Sequence, residues 1–259
     1  MIGAIIGDIV GSRFEFNNTD KTDFELFTPE CSYTDDTICT IAVAEAILNG
    51  TSYKKSILKW CRKYPDPKGA YGSSFESWIH QKNPKPYNSY GNGSAMRVSS
   101  VGWAFDSEKE VLEQAKQTAI ISHNHPEGIK GAQCVADLIY ALRKRNIRKR
   151  VSDITLFVRS KFSYTIPSLK SLKSSNNFDC TCQGTVPQAI RCFMQAKDFE
   201  KTIRIAISVG GDSDTLGAIA GSIAESWFDI PEHIKLKALN YLPDEMIDVI
   251  DRFTEKFEK

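Results

Sequence analysis

Two short stretches, far apart in the chain, hold the oxygen-rich side chains best suited to chemistry. They are Ser32-Tyr33-Thr34-Asp35-Asp36-Thr37 and Val209-Gly210-Gly211-Asp212-Ser213-Asp214-Thr215. Each stands where an apolar-periodic helix begins, with Ile38, Ile41, Ala42 and Ala46 after the first and Leu216, Ile219, Ala220 and Ile223 after the second. One such stretch alone is explained by capping, because Thr and Asp satisfy the orphan amides of a first helical turn and complement its dipole. The second copy changes the reading. A cap needs one acceptor, whereas Asp212 and Asp214 straddle Ser213 and follow a glycine pair that lets backbone approach closely. Four carboxylates with threonine hydroxyls form an all-oxygen donor set of the kind a hard divalent cation takes. Carboxylates about 4 Å apart repel by roughly 4 kcal/mol at an effective dielectric of about 20, so stretches that meet need protons or cations between them. The expectation is a scaffold that brings both helix starts together around metal.

The elements that must do this positioning read as helices. Gly3, Gly7 and Gly11 recur every fourth residue along an apolar opening segment that also carries Asp8, a pattern that permits close approach of a second helix. Residues 17–33 read as a polar loop. Helical periodicity then runs from Thr37 to Leu48, closed by Asn49-Gly50, and again over 53–63, 73–81, 108–121, 127–143 and 153–161. Ser89-Tyr90-Gly91-Asn92-Gly93-Ser94-Ala95-Met96-Arg97 is a glycine-bearing loop feeding a helix to about Phe105, and exposed amides at such a start suit phosphate. Residues 163–184 look irregular, Pro187 takes an N1-like position for a helix through Ala196, and Asp198-Phe199 opens another to about Ser208. The buried helix Leu216–Trp227 follows the second acidic stretch, and Pro231 and Pro243 each begin a closing helix. No segment has convincing strand alternation. The fold class expected is all-α, one compact domain over residues 1–259.

Composition narrows the function classes. Lys+Arg and Asp+Glu total 33 and 32, so nothing global favours nucleic acid or a membrane surface as partner. No stretch approaches the ~20 apolar residues of a spanning helix, and the opening segment meets Asp8 too soon for a secretory signal. Seven cysteines at irregular spacing argue against a disulfide framework and for a reducing cytoplasm. Cys180-Thr181-Cys182 lacks a second pair at zinc spacing. His123 and His125 invite a nuclease reading, but those motifs are dispersed through a ββα unit; a loop histidine touching ligand or backbone fits better. The basic run Arg143–Arg150 reads as a solvated helix end that complements the dipole.

Taken together, Gly7-Asp8-Ile9-Val10-Gly11-Ser12, Tyr33-Thr34-Asp35-Asp36-Thr37, Gly91-Asn92-Gly93-Ser94-Ala95-Met96-Arg97, Ser122-His123 with Gly131-Ala132, Gly184-Thr185-Val186-Pro187 and Gly210-Gly211-Asp212-Ser213-Asp214-Thr215 resemble the ADP-ribosylglycohydrolase family. Six motifs in the same order, nearly end to end, make the likeness specific. It implies an orthogonal all-α bundle with two magnesium ions in a cleft, bound by Thr34, Asp35, Asp36, Asp212, Asp214 and Thr215. By the same resemblance Asp35, Asp36 and Asp214 join Glu15 in catalysis, Glu15 in gating or proton transfer, with the general base left open between Asp35 and Glu15. Gly91, Asn92, Gly93, Ser94, Ala95 and Met96 would hold the diphosphate, His123 would lie near the ADP portion, Gly210 and Gly211 would border the substrate, and Asp8 would support the ligands from behind.

The activity implied is release of ADP-ribose from an acceptor: a protein side chain, arginine first, or a small molecule. Magnesium is favoured over zinc because the donor set lacks thiolate and imidazole, and manganese is compatible. The rival readings are a non-catalytic ADP-ribose-binding or structural relative of the same fold, and a metal-dependent phosphoesterase. Oligomeric state is open, a monomer included.

Overall fold

The computed structural model describes residues 1–175 and 178–257. Fifteen helices and no strand occur among them: α1 (Ile2–Gly11), α2 (Asp35–Asn49), α3 (Tyr53–Lys63), α4 (Ser73–His80), α5 (Gly93–Met96), α6 (Ser99–Ala104), α7 (Glu108–Ala119), α8 (Pro126–Arg143), α9 (Val151–Phe162), α10 (Leu169–Ser175), α11 (Cys182–Gln195), α12 (Phe199–Val209), α13 (Ser213–Ala224), α14 (Glu232–Leu239) and α15 (Asp244–Phe257). Many starts have a chemical cause: the side chains of Thr34, Ser107, His125, Thr181 and Asp198 each accept a first-turn amide. Gly50 ends α2 in the left-handed region at φ 62°.

The α1–α13 pair is the axis of the molecule. Gly3, Gly7 and Gly11 face Gly221, Gly217 and Ser213, so the two helices run antiparallel with almost no side chain between them. A Cβ on Gly7 would lie 2.0 Å from the Gly217 carbonyl oxygen. This geometry sets the C-terminal end of α1, and Glu15 just beyond it, against the N-terminal start of α13. A second fastening runs sideways. Fully buried Asp8 accepts from the Thr34 amide at 3.0 Å, the Thr34 hydroxyl at 2.8 Å, the Thr37 amide at 3.1 Å and the Thr37 hydroxyl. One helix therefore holds the start of α2 on its Asp8 side and the start of α13 on its glycine side. Helices α11 and α12 pack on α13, and α3 on α2, around a core that includes Trp78, Phe193, Phe199 and Phe253.

Three local expectations need correction. Helix α11 starts at Cys182, not at Pro187, because Thr181 caps it by accepting from the Gly184 amide at 3.1 Å; Pro187 lies inside the helix, where its missing N–H leaves the Gln183 carbonyl without an i+4 donor. The helix expected through Phe105 is two short ones, broken at Arg97 and Val98. The region expected to be irregular contains α10, and its residues 176 and 177 lie outside those described. The basic run is busier than a solvated end: Arg143 donates to the Gly102 carbonyl at 2.7 Å, Lys149 to the Ala196 carbonyl at 2.7 Å, and the Arg145 guanidinium lies 4.1 Å from the Trp227 ring centre. No helix among the described residues is long and apolar enough to cross a membrane.

Candidate active site

A cavity of about 440 Å³ opens where the starts of α2 and α13 meet, lined by Asp35 and Asp36 from the first acidic stretch and by Asp212, Asp214 and Thr215 from the second. Glu15 completes the cluster: one carboxylate oxygen each from Glu15, Asp212 and Asp214 lie within 4.8 Å of one another. Thr215 donates its hydroxyl to Asp36 Oδ2 at 3.1 Å, joining the two stretches directly. Two isolated bridges frame the opening. Thr34 pairs with Lys68, bringing Gly69, Ala70 and Tyr71 to the rim, and Gly91 pairs with Thr181, bringing Cys180 and Phe178 to the opposite rim. At Gly69, with φ 79°, a Cβ would lie 2.5 Å from Glu15 Oε2, so glycine there leaves room for the glutamate.

The electrostatics follow from this crowding. Burial, with the charges of Asp212 and Asp8 added, pushes Glu15 up to about 7. Burial also raises Asp36, with Asp8, Asp35 and Asp212 adding to it, and raises Asp214, with Asp212, Asp36 and Glu15 adding to it. Asp35 is raised by burial first and then by Cys39, Asp8 and Asp212. Among the described residues, no lysine or arginine forms an ion pair with any of these six carboxylates. Glu15 Oε2, Asp36 Oδ1 and Asp214 Oδ1 are buried atoms with no hydrogen-bond partner. Buried acceptors left unpaired cost roughly 1–3 kcal/mol each. Three in one cluster of hard oxygen donors fit a divalent cation such as magnesium or manganese.

The Gly91–Gly93 turn and His123 line the same cavity. Asn92 donates to Asp212 Oδ2 at 2.6 Å and to Thr185 at 3.1 Å, fixing the Gly91–Gly93 turn beside the carboxylates. His123 stands behind that turn, where a Cβ on Gly93 would lie 3.1 Å from its Nε2. Burial and the nearby Arg97 charge hold His123 well below its usual range, so the ring is neutral. Ser122 Oγ accepts from Arg97 at 3.0 Å, and its proton then goes to His123 Nδ1 at 2.8 Å. That assignment leaves Nε2 as an N–H donor on the cavity side. Phe75 and Tyr87 flank the ring at 6.3 and 6.0 Å between centres.

Of the residues singled out in the sequence, Glu15, Asp35, Asp36, Gly91, Asn92, Gly93, Met96, His123, Asp212, Asp214 and Thr215 line this cavity. Thr34, Ser94, Ala95, Gly210 and Gly211 do not. The Thr34 hydroxyl is engaged between Asp8 and the Asp36 amide. Ser94 is fully buried and donates to the Gly128 carbonyl at 2.7 Å, which corrects the expectation that its hydroxyl faces a ligand. Gly211 exchanges hydrogen bonds with Asn18 through both its amide and its carbonyl, and Gly210 and Gly211 have φ of 80° and 76°, so the pair shapes the turn that delivers Asp212. Asp8 accepts from Thr34 and Thr37 at the start of α2. Sequence reasoning missed Phe16, Phe75, Tyr87, Arg97, Phe178 and Cys180; Arg97 stood inside a quoted motif, and Cys180 was weighed only as one of a cysteine pair.

Comparison with known proteins decides the family. The profile of the ADP-ribosylglycohydrolase family matches residues 1–259. The chain belongs to that family. The mouse (Mus musculus) ADP-ribosylhydrolase ARH3 is 22% identical over 313 residues, covering 90% of this chain and 83% of that protein. The ADP-ribosyl-(dinitrogen reductase) glycohydrolase of Rhodospirillum rubrum is 22% identical over 258 residues, covering 89% and 85%. A solved ADP-ribosylglycohydrolase-related protein complex shares the fold at a TM-score of 0.73 and 22% identity, over 98% of this chain and 96% of that one. This ADP-ribosylglycohydrolase is thus an enzyme of a family that hydrolyses ADP-ribose linkages, and the all-α bundle expected from its sequence is the one it has.

Proposed function

We propose that this ADP-ribosylglycohydrolase is a magnesium-dependent hydrolase, acting as one domain, that cleaves the glycosidic bond between ADP-ribose and an acceptor, with an arginine side chain as the first choice of acceptor. The observation that carries the reading is the convergence of Glu15, Asp36 and Asp214, each with a buried, unpartnered carboxylate oxygen, in one cavity with the Gly91–Gly93 turn and His123. Asp35, Asp36, Asp212, Asp214 and Thr215 would hold two divalent ions, with Thr34 reinforcing Asp36. Bound ions of this kind orient ribose hydroxyls and acidify water.

The chain's own groups do the rest. The Gly91 and Asn92 amides are held by Ser89 Oγ and the Cys180 carbonyl, so the Gly93 amide and the Nε2–H of His123 bind the diphosphate, orienting the distal ribose toward the carboxylates. Cleavage at its anomeric carbon develops oxocarbenium character, which the acidic cluster stabilises. Glu15, at the cavity beside Asp212 and Asp214, is placed to take the proton of the attacking water.

Incubation with an ADP-ribosylated arginine peptide and Mg²⁺ tests this by product identity. Free ADP-ribose is expected, and Asp36→Asn or Asp214→Asn should lower its release about 100-fold or more while leaving the helical circular dichroism intact. AMP as product would establish a phosphoesterase, and tight ADP-ribose binding without turnover of any linkage would establish a non-catalytic relative.

A further inference from the structure

Two of the three exposed aromatic side chains among the described residues meet at the mouth of the cavity. Phe16, 77% exposed, and Phe178, 49% exposed, lie with ring centres 6.2 Å apart and planes 8° from parallel. Both belong to the lining, and neither is part of the buried core. Their place in the chain fixes which end of the cavity they serve. Phe16 directly follows Glu15, and Phe178 begins the segment in which Cys180 accepts the Asn92 amide at its carbonyl, at 2.7 Å, and pairs its thiol with Asp212. The chain thus ties both rings to the carboxylate end, Phe16 through Glu15 and Phe178 through Cys180 and Asp212. A ligand with its diphosphate at the Gly91–Gly93 turn and its distal ribose at the carboxylates projects whatever is joined to that ribose toward this pair.

We propose that Phe16 and Phe178 are specificity-determining residues that read the acceptor, selecting a flat, cationic leaving group of the guanidinium type. Two features favour that chemistry. Aromatic faces attract guanidinium groups within about 6 Å of their centres, by cation–π attraction and by stacking of the flat group. The rings also border five carboxylates, of which two divalent ions balance four, so a cation at the mouth is complementary to the remaining charge. An alcohol-type leaving group, such as a serine oxygen, offers neither plane nor charge to the rings. The inference rests on the functional reading above and adds the residues that choose among its substrates.

The test compares kcat/KM for ADP-ribose release from two peptides, one modified on arginine and one on serine, in the wild type and in the Phe16→Ala/Phe178→Ala double variant. In the variant the arginine-to-serine ratio should fall about tenfold or more, chiefly through KM for the arginine-linked peptide. Phe16→Trp, which keeps a flat ring, should retain most of the wild-type ratio. An unchanged ratio, whether both rates hold or both fall together, overturns the assignment. Wild-type protein that releases ADP-ribose from neither peptide overturns the functional reading and this inference with it. Turnover with an unaltered ratio overturns this inference alone.

Discussion

At the residue scale, Asp8 and His123 show how partners decide what a titratable side chain does. Asp8 accepts from two amides and two hydroxyls while fully buried, and burial outweighs those donors to place it at about 6. Asp8→Asn would point an amide donor at donors, so a loss of about 2–4 kcal/mol in urea-denaturation stability is expected; an unchanged midpoint would show that the carboxylate does not tie α2 to α1. His123 takes its neutral state from burial beside Arg97. Its ring should therefore show no protonation step by NMR down to about pH 5, and a step in the ordinary histidine range would refute the donor role of Nε2. The acidic residues were legible in the sequence because four carboxylates and paired hydroxyls in duplicated stretches exceed what capping requires. Arg97 and the aromatics were not legible. A buried arginine whose guanidinium reaches the Thr118 carbonyl and Ser122, and rings on the 73–90 and 178 segments, acquire meaning only from neighbours distant in the chain. The Ser94 hydroxyl looked available for the same reason, since its partner Gly128 lies 34 positions away.

At the scale of the elements, the glycine seam between α1 and α13 sets the distance between Glu15 and the second acidic stretch. Gly217→Ala would place a methyl 2.5 Å from the Gly7 carbonyl oxygen, whereas Gly72→Ala meets nothing within 4 Å. The first should cost about 1–3 kcal/mol or more of stability in thermal or urea unfolding and the second little; equal, small effects would mean that α1 and α13 do not rely on close backbone contact. The glycine spacing of α1 was readable, and its use for helix packing was the simplest reading of it. Its partner was not, because the apolar and small residues of α13, Gly217 and Gly221 among them, marked that helix only as buried. Helix ends marked by caps, such as Asn49-Gly50 and Asp198, were readable to within a residue or two. The start of α11 was not, since Pro187 is a stronger textual signal than the Thr181 cap that sets it.

For the whole molecule, the topology brings together groups as distant in the chain as Asp36 and Asp212. No local pattern encodes that meeting, and the family resemblance supplied it where residue spacing could not. The cluster also makes stability depend on pH in a defined direction. Glu15 and Asp8 have folded-state values of about 7 and about 6, above their ordinary 4.5 and 3.8, so in that interval the folded chain holds protons that the unfolded chain has released. Stability from these groups is present at low pH and is lost as pH rises through about 4 to 7. Metal-stripped protein should therefore melt at a lower temperature at about pH 8 than at about pH 5, and Mg²⁺ should raise the melting temperature more at the higher pH; a flat profile would contradict the crowding of unpaired carboxylates. The most direct measurement is release of ADP-ribose from an ADP-ribosylated peptide before exhaustive chelation, after it, and after addition of Mg²⁺. The expected result is loss of release on stripping and recovery with Mg²⁺, and full release by the stripped protein would contradict a metal-assembled site.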